Sequence, residues 1–314
     1  MGRLPHLVRD SELETHFSPT CDVEKVHTYH ERSPNIRGKL VARREHWQIL
    51  KKVGGGGFGS AVKQMEINRW STRLDYNREL EAIAKFSHRK YERCFVKSFG
   101  WYKSDEHLFI AMEYLELGDF QSYLQNNPKL PEIEVREIIF QVLDGLNLMH
   151  DNEFTHRDLK LNNILIKDGP PNNWWVKISD FGISKRVEDA TGLPTTIKGT
   201  PGYLAPELIA FTNRGMPYAV DIWAVGEITF QLLTKNRPSR IMDTFLPMST
   251  TPAIFLTIPS ILTAPQNLGL TSSFPMHPEP NQRISARDAS KHQWMEQSLP
   301  SPHEPRYGRQ LTQG

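Results

Sequence analysis

Five charged or amide side chains, Arg157, Asp158, Lys160, Asn162 and Asn163, crowd into the stretch Phe154-Thr155-His156-Arg157-Asp158-Leu159-Lys160-Leu161-Asn162-Asn163-Ile164-Leu165-Ile166. A second carboxylate, Asp180, follows 22 residues after Asp158, behind the apolar run Trp174–Ile178. A carboxylate suits Mg²⁺, a hard cation that takes oxygen ligands and bridges phosphates. Far upstream lies Gly54-Gly55-Gly56-Gly57-Phe58-Gly59, and soon after it Lys63. Glycines there leave backbone N–H groups clear to approach a phosphate, which any side chain would obstruct.

The elements that must carry these residues are legible in the apolar periodicity. Ile138, Ile139, Val142, Leu143, Leu146 and Met149 recur at helical spacing over 133–150 and deliver the chain to the polar stretch. Ile164–Ile166 reads as the strand after it, Lys167–Asn173 with its Gly169, Pro170 and Pro171 as a turn, and Trp174–Ile178 as a partner strand. Residues 71–87 form a helix with Leu80, Ile83 and Ala84 on one face. Phe95–Tyr102 and Leu108–Leu115 read as antiparallel strands around the polar turn Lys103–His107. Trp47–Val53 reads as a strand leading into the glycines.

Taken together, these motifs resemble the eukaryotic protein kinase family, in its serine/threonine branch. His156 to Asn163 match the catalytic loop His-Arg-Asp-Leu-Lys-x-x-Asn, Asp180-Phe181-Gly182 the magnesium motif, Ala205-Pro206-Glu207 the end of the activation segment, and Gly54, Gly56 and Gly59 the glycine loop. The resemblance covers roughly residues 47–297. It implies an α+β, two-lobed fold, with a small β-rich lobe at about 46–115 and a larger, mainly helical lobe at about 116–298. It further implies transfer of the γ-phosphoryl group of MgATP to Ser or Thr hydroxyls of a protein substrate. Asp158 would be the catalytic base, Lys160 would steady the transferred phosphate, and Thr200 would contact both. Asn163 and Asp180 would be the metal ligands. ATP would be held by Gly54, Gly56, Gly59, Ala61, Lys63 with its partner Glu79, the backbone of Glu113 and Leu115, Asp119 and Leu165. Met112 would be the gatekeeper and His156 a packed scaffold residue. Asp221 would hold the catalytic-loop backbone, Arg283 would pair with Glu207, and a phosphate on Thr195 or Thr196 would pair with Arg157.

One departure from the family is visible. The family carries a second strand between the glycine loop and the strand bearing the lysine, yet here only Ser60 separates Gly59 from Ala61. Four residue steps reach at most about 14 Å, and deleting one strand of an up-down-up sheet reverses the next. The expected sheet is therefore one strand short, and the placement of Lys63 is left open. An alternative function follows: a pseudokinase or scaffold with impaired ATP binding. The segment 235–282, rich in Pro, Ser and Thr, has weak helical periodicity and does not identify a substrate.

The remaining composition sets outer limits. Hydrophobic content of 38% and charged content of 24% suit a core-forming protein. A net charge of +2 argues for neither nucleic-acid nor membrane binding. Two cysteines, Cys21 and Cys94, make no disulfide framework and point to an intracellular setting, cytoplasm or nucleus. No apolar run has the length of a membrane span, and the first residues lack a signal-peptide core. Residues 1–45 read as a polar extension, flexible or loosely packed with a short strand near Val23–Tyr29, and 299–314 as a loose tail.

Overall fold

The computed structural model describes residues 6–17, 24–32, 40–48, 60–66, 73–180, 185–186, 200, 203–209, 216–236, 277 and 279–296. A short helix α1 (His6–Asp10) precedes three antiparallel strands, β1 (Glu14–Phe17), β2 (Glu24–Arg32) and β3 (Leu40–Gln48), paired in the order β1-β2-β3. The expected strand at Trp47–Val53 thus begins earlier, at Leu40, and pairs with β2, with Gln48 opposite Glu24. Residues 49–59, including Gly54, Gly56 and Gly59, lie outside the described residues.

The sheet that carries Lys63 consists of β4 (Ser60–Glu66), β5 (Ser98–Lys103) and β6 (His107–Glu113), in the order β4-β6-β5 with both pairings antiparallel. β6 takes the centre because its run Leu108, Phe109, Ile110 and Ala111 is buried on both faces. Helix α2 (Arg73–Phe86) covers one face of this sheet, where Leu80, Trp101, Leu108 and Ile110 form a cluster with Met65 and Met112. The other face holds Tyr102, Phe109, Ala111 and Val62.

The larger lobe is built on helices α3 (Phe120–Asn126), α4 (Glu132–Asp151) and α6 (Ala219–Thr234), with the short α5 (Pro206–Ile209) between the last two. In α4, Val135, Ile138, Ile139, Val142, Leu143, Leu146 and Met149 are buried at three- and four-residue spacing, the apolar stripe foreseen in the sequence. Glu132 and Glu134 in its first turn and His150 in its last suit the helix dipole. β8 (Ile164–Asp168) and β9 (Trp175–Ile178) form a hairpin packed on α4, while β7 (Phe154–Thr155) pairs with β10 (Lys185–Arg186). Gly145 lets α4 approach β9 closely, since a Cβ there would lie 2.7 Å from Ile178 Cδ1. α6 is buried along almost its whole length and donates apolar side chains to the same core.

Backbone bonds stitch the lobes together: Val96 N donates to Ile178 O (3.0 Å) and Ile178 N to Cys94 O (2.8 Å), while Ile166 N donates to Gly118 O (2.8 Å) at the start of the larger lobe. No helix among the described residues is long and apolar enough to cross a membrane. Within residues 6–13, Val8 and Leu13 are buried, at 0% and 5% exposure, because they cover apolar surface that the small lobe would otherwise leave open.

Candidate active site

Lys63 sits in β4 opposite Ile110 of β6. The alternation of a strand puts Ala61 and Lys63 on one face and Val62 on the other. Lys63 Nζ lies 2.8 Å from Glu79 Oε1 and 2.6 Å from Asp180 Oδ1. The short connection left the place of Lys63 open; β4 lies antiparallel beside β6, and the lysine meets the glutamate chosen from the helix. Burial by itself would lower the Lys63 pKa, but the charges of Glu79 and Asp180 prevail and raise it. Lys63 is therefore a cation at every physiological pH.

The polar stretch forms a second cluster. Asp158 Oδ2 accepts from Lys160 Nζ at 2.7 Å, and Asp158 Oδ1 accepts from Thr200 Oγ1 at 2.7 Å and from Thr200 N at 3.1 Å. Lys160 Nζ also donates to Thr200 Oγ1 at 2.7 Å. A hydroxyl thus already stands between the carboxylate and the ammonium, donating to one and accepting from the other. Asn163 Nδ2 donates to Asp158 O at 2.7 Å.

This loop is held from below. Asp221, fully buried near the start of α6, accepts from His156 N (2.9 Å), Arg157 N (2.8 Å) and His150 Nε2 (2.9 Å). Burial acts to raise its pKa, yet the bond and charge of His150, the charge of His156 and the Arg157 N–H outweigh it, and the carboxyl titrates below its ordinary range. His156 is wholly buried, with Nε2 3.1 Å from Ser179 O, so it is a scaffold residue as expected. Arg157 and Asp180 adopt positive φ, +68° and +61°, a strained conformation for non-glycine residues. Three acceptor bonds at Asp221 and the lysine at Asp180 hold that strain in place.

The remaining expected residues line the connection between lobes. Ala61 faces Met112 across the β4–β6 ladder. Leu165 is partly exposed between buried Ile164 and Ile166, so its side chain faces away from the core, and it pairs with Asp119. The Asp119 carboxylate caps α3, accepting from Ser122 N at 2.8 Å and Ser122 Oγ at 3.1 Å. Glu113 N donates to Lys97 O and Leu115 O accepts from Gly118 N. Phe181, Gly182, Thr195 and Thr196 lie outside the described residues. Arg283, chosen from the sequence as partner of Glu207, makes two parallel bonds to it, at 2.7 and 2.8 Å, and also donates to Ala219 O and His277 O.

Sequence reasoning missed Lys177. It is 2% exposed, in β9, and its Nζ donates to Glu113 Oε1 at 2.5 Å. The available signal was a lone lysine inside the apolar run Trp174–Ile178. It also missed Glu227, a carboxyl in α6 that is 2% exposed and whose Oε2 has no hydrogen-bond partner among the described residues.

A protein kinase domain model matches residues 47–295. The chain belongs to the protein kinase family. The serine/threonine-protein kinase cds1 of Schizosaccharomyces pombe is 29% identical over 227 residues, covering 64% of this chain and 47% of that protein. The meiosis-specific serine/threonine-protein kinase mek1 of the same yeast is 31% identical over 231 residues, covering 70% and 51%. The chain therefore spans about half the length of these relatives. A crystal structure of the Rad53 kinase domain and SCD2 superposes with a TM-score of 0.54 at 24% identity, over 88% of this chain and 85% of that one. That likeness shows the fold: α+β, two lobes, a small β-rich one and a larger helical one.

Proposed function

We propose that this chain is a serine/threonine-protein kinase that moves the γ-phosphoryl group of ATP to a Ser or Thr hydroxyl of a protein substrate. The observation that carries this reading is Lys63 bridging Glu79 and Asp180, which joins the two lobes' functional groups at one cation. Asp158 orients the substrate hydroxyl and takes its proton. Lys160 stands beside it as a point charge for the transferred phosphate. Thr200, bonded to both, sets their separation. Lys63, fixed by Glu79, positions the α- and β-phosphates, and the sequence motif of Gly54, Gly56 and Gly59 supplies glycines suited to contact them. Ala61 and Leu165 enclose the adenine, the backbone of Glu113 and Leu115 pairs with its edge, and Asp119 accepts from the ribose. A carboxylate has about four lone-pair directions, so capping α3 leaves Asp119 room for a hydroxyl.

The donor set also fits magnesium. Asp180 and the amide oxygen of Asn163 are hard oxygen donors, and no group of three His, Cys, Asp or Glu among the described residues forms a closed cage. Two protein donors suit Mg²⁺, which keeps waters and takes phosphate oxygens for its other positions. When bound it offsets charge on the phosphates. The protein's own share is placement and electrostatics.

The scaffold alternative rests on the missing strand and the irregular segment 235–282; the Lys63–Glu79 pair supports the enzyme reading over it. An intracellular protein, of cytoplasm or nucleus, fits a free, buried Cys94 whose pKa burial pushes up to about 12, an inert thiol. The test is phosphate transfer from MgATP to a generic Ser/Thr substrate, with Asp158→Asn alongside. Loss of transfer by roughly 10²–10⁴-fold in that variant is expected; a folded wild-type chain that transfers nothing, or a variant as active as wild type, overturns the reading.

A further inference from the structure

β5 is an edge strand, and an open edge is a template for another strand. Residues 11–13 occupy it. Trp101 N donates to Ser11 O at 3.0 Å and Leu13 N to Trp101 O at 2.7 Å, with Glu12 paired to Trp101 in parallel. The Trp101 indole N–H reaches further back and donates to Val8 O at 2.9 Å. α1 lies against α2.

The seat is shaped for this segment. Gly100 has φ +136°, and a Cβ there would meet Ser11 O at 2.7 Å and Leu13 Cγ at 2.8 Å. Only glycine permits both the backbone angle and the close approach. The segment then grips both faces of the sheet. Val8, 0% exposed, completes the cluster of Leu80, Trp101, Leu108 and Ile110 on the α2 side. Leu13 completes the cluster of Tyr102, Phe109 and Ala111 on the opposite side. Leu80 adjoins Glu79, the residue whose carboxylate must reach Lys63.

We propose that the groove between α2 and β5 is a docking site whose occupant is this chain's own residues 6–13, and that their seating holds α2 on the sheet and so keeps Glu79 on Lys63. This rests on reading Lys63 and Glu79 as the pair that positions the nucleotide. Val8 and Leu13 act through Leu80 and the sheet, as positioning residues. Backbone bonds to β5 give the attachment, and two apolar anchors at alternate faces fix its register, the logic of strand addition. A sheet with a short connection before β4 gains on the β5 side an edge cover and a brace for its helix.

The test uses the full chain with Val8→Asp, which puts a carboxylate into the α2-side cluster. Two readouts are taken: hydrogen exchange of the α2 amides and kcat/KM for ATP. We expect exchange over Glu79–Phe86 to rise and kcat/KM to fall, each by at least about tenfold, since small misplacements of a positioning group carry large rate costs. A synthetic peptide of residues 5–16 added at saturation should restore both. Wild-type exchange and kinetics in the variant overturn the proposal, as does a loss that the peptide does not restore. If Val8→Asp fails to fold, Trp101→Phe, which keeps the ring and loses the bond to Val8 O, is judged by the same exchange criterion. A wild-type chain that transfers no phosphate would sink the kinase reading alone, because the exchange readout still decides the clamp.

Discussion

Replacing Glu227 with Gln should abolish a pH dependence that the fold itself creates. Glu227 lies inside α6, 2% exposed, and burial pushes its carboxyl up to about 8. In the unfolded chain the same group titrates at its ordinary value of 4.5. Between those two pH values the native state keeps a proton that the unfolded chain has released, so stability falls as pH rises. The contribution is fully present below the unfolded value and fully lost above about 8. Each pH unit across the window costs about 1.4 kcal/mol. From about pH 5 to about pH 7 the wild type should therefore lose roughly 3 kcal/mol more than Glu227→Gln, which has nearly the shape of the protonated acid and no titration. The assay is urea unfolding of both proteins at a series of pH values. All other groups titrate alike in the two chains, so the difference between their unfolding free energies isolates Glu227. A difference that stays constant from about pH 5 to about pH 8 would refute the reasoning, because it would mean that the native carboxyl ionises as freely as the unfolded one.

Other substitutions test other contacts. Lys63→Met leaves Glu79 buried without its cation, and kcat/KM for ATP should fall by at least about a hundredfold in steady-state kinetics. Arg283→Met strands the Glu207 carboxylate, 8% exposed, beneath the end of the activation segment; denaturant titration should show a loss of about 3–5 kcal/mol. Asp221→Ala removes the acceptor of His156 N and Arg157 N, and each stranded buried donor costs about 1–3 kcal/mol, visible in unfolding together with a lower kcat. Because the native Asp221 pKa is depressed below 3.8, its contribution is present above that value and lost as pH falls through the native one. Acid unfolding monitored by near-UV circular dichroism should therefore begin at higher pH in Asp221→Asn than in the wild type.

Much of the site could be read along the chain because its chemistry is local. Asp158, Lys160 and Asn163 sit within six residues on one loop, and the geometry that brings them together is short-range: a side chain two residues away, an amide reaching a backbone carbonyl. Arg283 and Glu207 are distant in sequence but were recognisable by motif, and a buried guanidinium needs a carboxylate wherever it lies. The helix 133–150 was legible because its apolar stripe repeats over five turns. By contrast, the short Gly59–Ala61 connection left the placement of Lys63 open, since chain reach and strand alternation are the only geometry a sequence carries. The sheet decides it: β4 finds β6 by side-chain burial and ladder bonds from residues about 50 positions downstream, and that pairing sets the lysine against Glu79 and Asp180. Residues 6–13 carry no sequence sign of order, being short and mostly polar. Their order comes from surface that exists only once β5, β6 and α2 have assembled. Lys177 and Glu227 each stand alone in an apolar run, a local sign of burial, but their partners and surroundings are set only by the packed core. The sequence by itself determined the chemistry and the elements that bear it; tertiary structure alone decided which charges are buried, which meet, and what covers the open edge.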